Sequence, residues 1–161
     1  MAHSTDSPCF ELESWTQLLD KAGHDLIELK LLVNPYSIFN CICTLNHVPD
    51  WISADPKFRH LSAVVEEFKK DRNIDVVRQL CNRAKHFSRK DVSPATEVHT
   101  GYGSGRYGVG AYGVGEPTYL VEVDGSMLNV MDVLSAAHAK WETLRTRLLR
   151  ERLNLPPLSI A

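Results

Sequence analysis

The 161-residue chain has no apolar run approaching the roughly 20 residues that a membrane-spanning helix needs, so contact with a membrane is not expected. Nor do its first residues place a basic stretch ahead of an apolar core, so Met1 to Glu11 does not read as a secretory leader. Cysteine is scarce. Cys9, Cys41, Cys43 and Cys81 form no C-x-x-C pair and stand at no zinc-like spacing from a histidine pair. With Cys41, Cys43 and Cys81 in apolar helical surroundings, they read as buried free thiols, and the chain as a cytoplasmic protein with no cofactor and no metal. His24, His60, His99 and His138 stand singly, without H-E-x-x-H. No G-x-S-x-G marks a hydrolase nucleophile, because Gly103-Ser104-Gly105 lacks that spacing.

A strong overall charge is missing too, the formal net value being −2, but the charge is unevenly spread. Lys69, Lys70, Arg72, Arg78, Arg83, Lys85, Arg89 and Lys90 stand against Asp71 and Asp75, so this stretch carries +6 and the remainder −8. Such asymmetry attracts a polyanion even to a mildly acidic protein, although a solvated helix face has the same composition.

What the chain does have is helical periodicity. Ser7-Pro8 resembles an N-cap followed by proline at the first helical position, and Leu12, Trp15, Leu18, Leu19, Ala22, Leu26 and Leu29 follow at helical spacing. Gly23 marks a kink or a close helix contact in that element. Asn34-Pro35 ends it and opens a second helix, apolar nearly all round and expected to be the most buried, in which Pro49 kinks or restarts the backbone. Helices are expected at roughly 8–33, 36–52, 56–70, 73–88 and 130–153, with Asn73 capping the fourth and Asn129, followed by Asp132, opening the last. Alternation around 95–100, a β-favouring run from Thr118 to Val123 and the turn pair Asp124-Gly125 predict a small antiparallel hairpin or meander over 95–128. The fold class is therefore mainly α, a single domain over 1–161. It is a bundle of about five helices with a small antiparallel sheet inserted before the last.

Seven of the nine glycines fall between Gly101 and Gly115, in a five-residue repeat with Tyr107 and Tyr112. G-x-G-x-x-G occurs twice there, at Gly103-Gly105-Gly108 and Gly108-Gly110-Gly113, but a predicted strand follows where a dinucleotide fingerprint needs a helix N-terminus. The stretch 101–117 reads as a mobile tip, in which Arg106, Tyr107 and Tyr112 could stack on unpaired bases.

The helix from Asn73 carries the most informative pattern. Its apolar face is Ile74, Val77, Leu80, Cys81 and Ala84, and one polar stripe beside it holds Arg78, Asn82, Lys85 and His86 within about a 100° arc. An arginine, an amide, an amine and an imidazole on one helix edge suit a phosphate or RNA, with Arg83 and Arg89 adding charge nearby. His86 titrates near neutrality and would move the proton of a ribose 2′-hydroxyl or of the leaving oxygen, while Arg78 or Lys85 holds the phosphoryl oxygens and Asn82 orients base or phosphate. Arg78 and His86 are two turns apart, about 12 Å along the axis, so two copies meeting across a two-fold axis would complete the site. The same residues equally serve to solvate and cap the C-terminal end of a helix.

A helical bundle with a basic, histidine-ending helix resembles the HEPN superfamily of small bacterial and archaeal helical domains. That resemblance implies a metal-independent RNase or toxin-type component of bacterial defence. The family's motif is an arginine, four to six residues, then a histidine, often with Asn after the arginine. Here seven residues intervene between Arg78 and His86 and two between Arg83 and His86, and Gln79 takes the place of the Asn. The chain is also similar to uncharacterised small bacterial proteins that carry H-x-x-D-W, here His47 to Trp51, and N-x-x-K-H-F, here Asn82 to Phe87. This likeness implies that the two elements meet in space, with His47, Asp50 and Trp51 supporting the basic helix and Asp50 near His86 or Lys85. RNA, a second copy of the chain and a protein partner such as an antitoxin are the partners so implied. A non-catalytic module that binds nucleic acid or protein, and a purely structural or regulatory helical protein, are the alternative readings.

Overall fold

The computed structural model describes residues 12–85, 95–99 and 117–152. Among these, the order is α1 (Trp15–Leu31), α2 (Pro35–Ala54), a 3₁₀ helix (Pro56–Leu61), α3 (Ser62–Lys69), α4 (Arg72–Lys85), β1 (Thr96–His99), β2 (Pro117–Val123), β3 (Ser126–Asn129) and α5 (Val130–Arg152). The described residues form a mainly helical bundle of five α-helices with a small antiparallel sheet before the last one.

Local chemistry sets most boundaries, though not always at the expected residue. The first helix begins at Trp15, capped by the Ser14 hydroxyl accepting from the Gln17 amide at 3.3 Å, and Leu12 and Glu13 precede it outside the helix. Ser7-Pro8 lies outside the described residues. Asn34 caps α2, its Oδ1 accepting from the amides of Tyr36 and Ser37, with Pro35 at the first helical position, where its missing N–H leaves no internal bond unmade. The helix then runs through Pro49 without a restart. Proline there denies Leu45 its backbone donor, at a cost of about 3 kcal/mol, which burial of Val48, Pro49 and Ile52 in the core offsets. The expected helix 56–70 is two elements, the 3₁₀ turn and α3. The basic helix starts one residue early and is capped not by Asn73 but by Asp71, whose carboxylate accepts from the amides of Asn73 at 2.9 Å and Ile74 at 3.4 Å. Aspartate is the better cap here because its charge also complements the helix dipole.

Helices α1, α2, α4 and α5 pack pairwise in a ring, α1 on α2, α2 on α4, α4 on α5 and α5 back on α1, with α2 and α5 also touching across it. Trp15, Leu19, Leu29, Leu45, Ile52, Leu134, Trp141 and Leu144 fill the middle. Gly23 lies within an uninterrupted α1. It is a close helix contact, where an added β-carbon would stand 3.3 Å from His138 Nε2 on α5. A polar node joins α1 to α2: Lys21 Nζ donates to Asp25 at 2.7 Å and to the buried Thr44 hydroxyl at 3.0 Å, and Thr44 donates on to Asp25 at 2.9 Å. The expected near-complete burial of α2 fails at its start, because Tyr36 and Phe39 face outward.

The sheet is a three-stranded antiparallel meander in the order β1-β2-β3, with Thr96 opposite Leu120 and Leu120 opposite Asn129. Asp124 and Gly125, both at positive φ (51° and 72°), make the tight turn between β2 and β3, as the pair predicts. Tyr119, Val121 and Val123 alternate inward along β2, and β2 and β3 pack on α5. Asn129 opens α5, its side chain accepting from the Met131 amide at 2.8 Å. No helix among the described residues is long and apolar enough to cross a membrane.

Candidate functional site

Helix α4 buries Ile74, Val76, Val77, Leu80 and Cys81 and turns Arg78 outward, because residues four apart share a face and the apolar ones win the core side. On α2, Leu45 and Val48 point inward, which leaves Asn46 half-buried and Asp50 exposed on the adjoining edge. Where these edges face one another a cleft of about 260 Å³ opens, lined by Asn46 and Asp50 from α2, Arg78 and Asn82 from α4, and Lys69 from the end of α3. Its apolar surface comes from Leu45, Pro49, Ile74, Val77, Ala137 and Trp141. Asp50 shares one cleft with Arg78 and Asn82, whereas Lys85, its expected neighbour, does not line it.

The charges in this cleft are partly answered from within. Arg78 donates from Nε at 3.0 Å and from Nη2 at 2.5 Å to one carboxylate oxygen of Asp75, one turn earlier on α4, while Gln79 donates to the other oxygen at 2.6 Å. Asp75 thus fixes the guanidinium and engages two of its nitrogens. Lys69 is paired with Glu66 at 2.7 Å. Both are short-range pairs at the surface, worth a few tenths of a kcal/mol each, so a ligand anion can compete for them. Asn46 and Asn82 add amides that donate and accept.

No family model matches the chain, and neither a curated protein nor a solved structure matches it.

The remaining expected site residues divide into two groups. His86, Arg89, Arg106, Tyr107 and Tyr112 lie outside the described residues. Four others are described and do not line the cleft. His47 is held through Nδ1 to the Cys43 carbonyl at 2.6 Å, Trp51 packs half-buried against the core, Arg83 is half-buried, and Lys85 is exposed at the end of α4. Of His47, Asp50 and Trp51, which were expected to support the basic helix, Asp50 alone lines the cleft. Asn46, Lys69 and Trp141 are lining residues that the motifs did not flag. Asn46 was legible in principle, one turn before Asp50 on the same helix edge, whereas Trp141 reads as plain core and only tertiary packing brings it beneath α4.

A second, more open depression of about 510 Å³ lies between α1 and α5 around Asp20, His24, His138, Glu142 and Arg145. Asp20, His138, Glu142 and Arg145 form one network there. Arg145 bridges Asp20 and Glu142, the latter at 2.8 Å, and His138 Nε2 faces the Leu19 carbonyl at 3.3 Å and Glu142 at 3.6 Å. That network is a helix-to-helix clasp, and it raises the Arg145 pKa through its two carboxylates against the opposing pull of partial burial. Among the described residues, no group of three or more His, Cys, Asp or Glu side chains is placed to hold a metal ion.

Proposed function

We propose that the chain is an HEPN-like helical protein that binds single-stranded RNA in the cleft between α2 and α4 and cleaves it without a metal, as a toxin-type component of bacterial defence. The observation that carries this reading is the convergence of Arg78, Asn82 and Asp50 on one cleft. Arg78, whose Nη1 is not engaged by Asp75, holds a phosphoryl oxygen. Asn82 and Asn46 read a base edge or the sugar, and the apolar floor accepts the flat face of a base. Proton transfer is assigned to His86 on the chemistry of its side chain, with Lys85 adding charge beside it and Asp50 as the carboxylate that orients the imidazole. A second copy of the chain supplies the other half of the composite site, and an antitoxin is the protein partner that a toxin of this kind requires.

A second reading, a binding module without catalysis, is favoured by a specific feature. The two cations of the cleft are each held by an acid of the same segment, and Asp50 lies among them. Such near-neutral lining suits recognition more than stabilisation of extra negative charge in a transition state.

Incubation with single-stranded RNA in EDTA separates the two. Catalysis predicts fragments ending in cyclic phosphate that disappear with His86→Ala while binding persists; binding weakened by salt, with no fragments, indicates the module. In either case Arg78→Ala and Asn82→Ala lower affinity about tenfold, equal to about 1.4 kcal/mol. Unchanged affinity in both variants removes the cleft from the account.

A further inference from the structure

Cys43 on α2 and Cys81 on α4 bring their sulfurs within 3.9 Å of one another, although they stand 38 residues apart in sequence. Cys81 is sealed in the core, whereas Cys43 is only half-buried, so a small oxidant can reach one sulfur of the pair. Their placement relates them to the cleft. Cys43 is one turn before Asn46 and two before Asp50 on α2, and Cys81 is next to Asn82 and one turn after Arg78 on α4. The pair therefore sits where the two walls of the cleft come together.

We propose that Cys43 and Cys81 are an oxidation site, closing into a reversible intramolecular disulfide that ties α2 to α4 and fixes the separation of the cleft walls. A disulfide bond is about 2.05 Å long, so the sulfurs have roughly 1.9 Å to close, a movement within reach of χ1 rotation in two cysteines on helices already in contact. With hydrogen peroxide as oxidant the step balances. The Cys43 thiolate attacks one peroxide oxygen, the O–O bond breaks, and the departing hydroxide takes up a proton as water. The resulting sulfenic acid is attacked by the Cys81 sulfur, its S–O bond breaks, and the hydroxyl leaves with the Cys81 proton as a second water. Two electrons pass from the thiols to the peroxide, and a dithiol reductant returns them.

The other described cysteine is unsuited to this role. Cys41 is fully buried, and burial, with Asp25 beside it, pushes its thiol up to about 12. Burial and the neighbouring Cys81 also push the Cys43 thiol up, to about 11, with Lys85 and Lys21 drawing it partly back. Oxidation is therefore slow at neutral pH and speeds up about tenfold per pH unit between 7 and 9, in step with the thiolate fraction.

The test treats the full chain with hydrogen peroxide at alkaline pH, blocks remaining thiols under denaturing conditions, and maps peptides by mass. Expected is a linked pair of peptides carrying Cys43 and Cys81, two hydrogens lighter than their sum and separated by dithiothreitol. Because Cys41 and Cys43 fall on one tryptic peptide, the Cys41→Ser variant assigns the bond, and in it the link persists. The oxidised protein melts about 5 °C or more above the reduced one, and Cys81→Ser, or Cys81→Ala should the serine variant not fold, abolishes link and shift together. Cys43 and Cys81 recovered as separate blocked thiols from folded, peroxide-treated protein, or joined instead to Cys9 or to a second copy, overturn the proposal. So does a linked protein that melts no higher than the reduced one.

Discussion

Single side chains decide both what this protein can hold and how it responds to pH. Arg78 and Asn82 were legible as neighbours because four residues of helix bring side chains to one edge, and the structure places both in the same cleft. Asp50 entered the expectation only through a resemblance, since no spacing rule links residues on different helices. Lys69 shows the opposite limit, for it counted only as one charge in a basic run, and its place at the cleft mouth follows from how α3 ends. Cys41 gives the clearest pH effect. Its thiol lies at about 12 instead of the ordinary 9.0, chiefly because burial disfavours the thiolate, with repulsion from Asp25 added. The folded chain keeps this proton where the unfolded chain has released it, so the contribution is fully present below about 9 and is lost as pH climbs towards 12. The urea midpoint is therefore expected to decline over that window, and less steeply in Cys41→Ala. Equal slopes in the two proteins would show that this thiol is not the source.

At the scale of the element, caps and periodicity were legible, but their competition was not. Ser7-Pro8 was the helix start the pattern suggested; the structure caps α1 at Ser14 and leaves Leu12 outside the helix. Asp71 displaced Asn73 as the cap of α4 for an electrostatic reason that pattern matching does not weigh. Pro49 was expected to kink or restart the backbone inside the second helix, and α2 runs through it with buried residues on both sides. Gly23 has the sharpest consequence at this scale, because α1 and α5 approach each other there. Replacing it with alanine gains about 1 kcal/mol of helix propensity but presses a methyl group on the His138 imidazole, so Gly23→Ala alone is expected to change stability by less than about 0.5 kcal/mol. In a His138→Ala background the same replacement stabilises by about 1 kcal/mol, and Gly23→Leu in the natural background costs about 1–3 kcal/mol. Denaturant titrations of this cycle provide the check: purely additive effects would mean that position 23 has room to spare.

For the whole molecule, the number and kind of elements were evident from periodicity, while the ring in which α1, α2, α4 and α5 pack was not, because a helical stripe names a buried face without naming its partner. Helix α5 closes that ring and also carries the sheet, so its core residues are shared by every other layer. Leu134, fully buried, is expected to cost about 2–5 kcal/mol when cut to alanine, a large share of the 5–15 kcal/mol that a domain of this size has in total. Because the layers depend on one another, far-ultraviolet dichroism and indole emission should report one coincident transition in Leu134→Ala, and separate midpoints would reveal independently folding parts. The placement of the three tryptophans has a practical sequel. Trp15 and Trp141, from the first and last helices, are both shielded from water, and the ring of Trp141 lies tilted on Phe68 at 5.5 Å while forming part of the cleft floor. The chain thus carries its own label. With Trp15 and Trp51 replaced by phenylalanine, quenching or a wavelength shift of Trp141 registers an occupant arriving above it, without dye or tag.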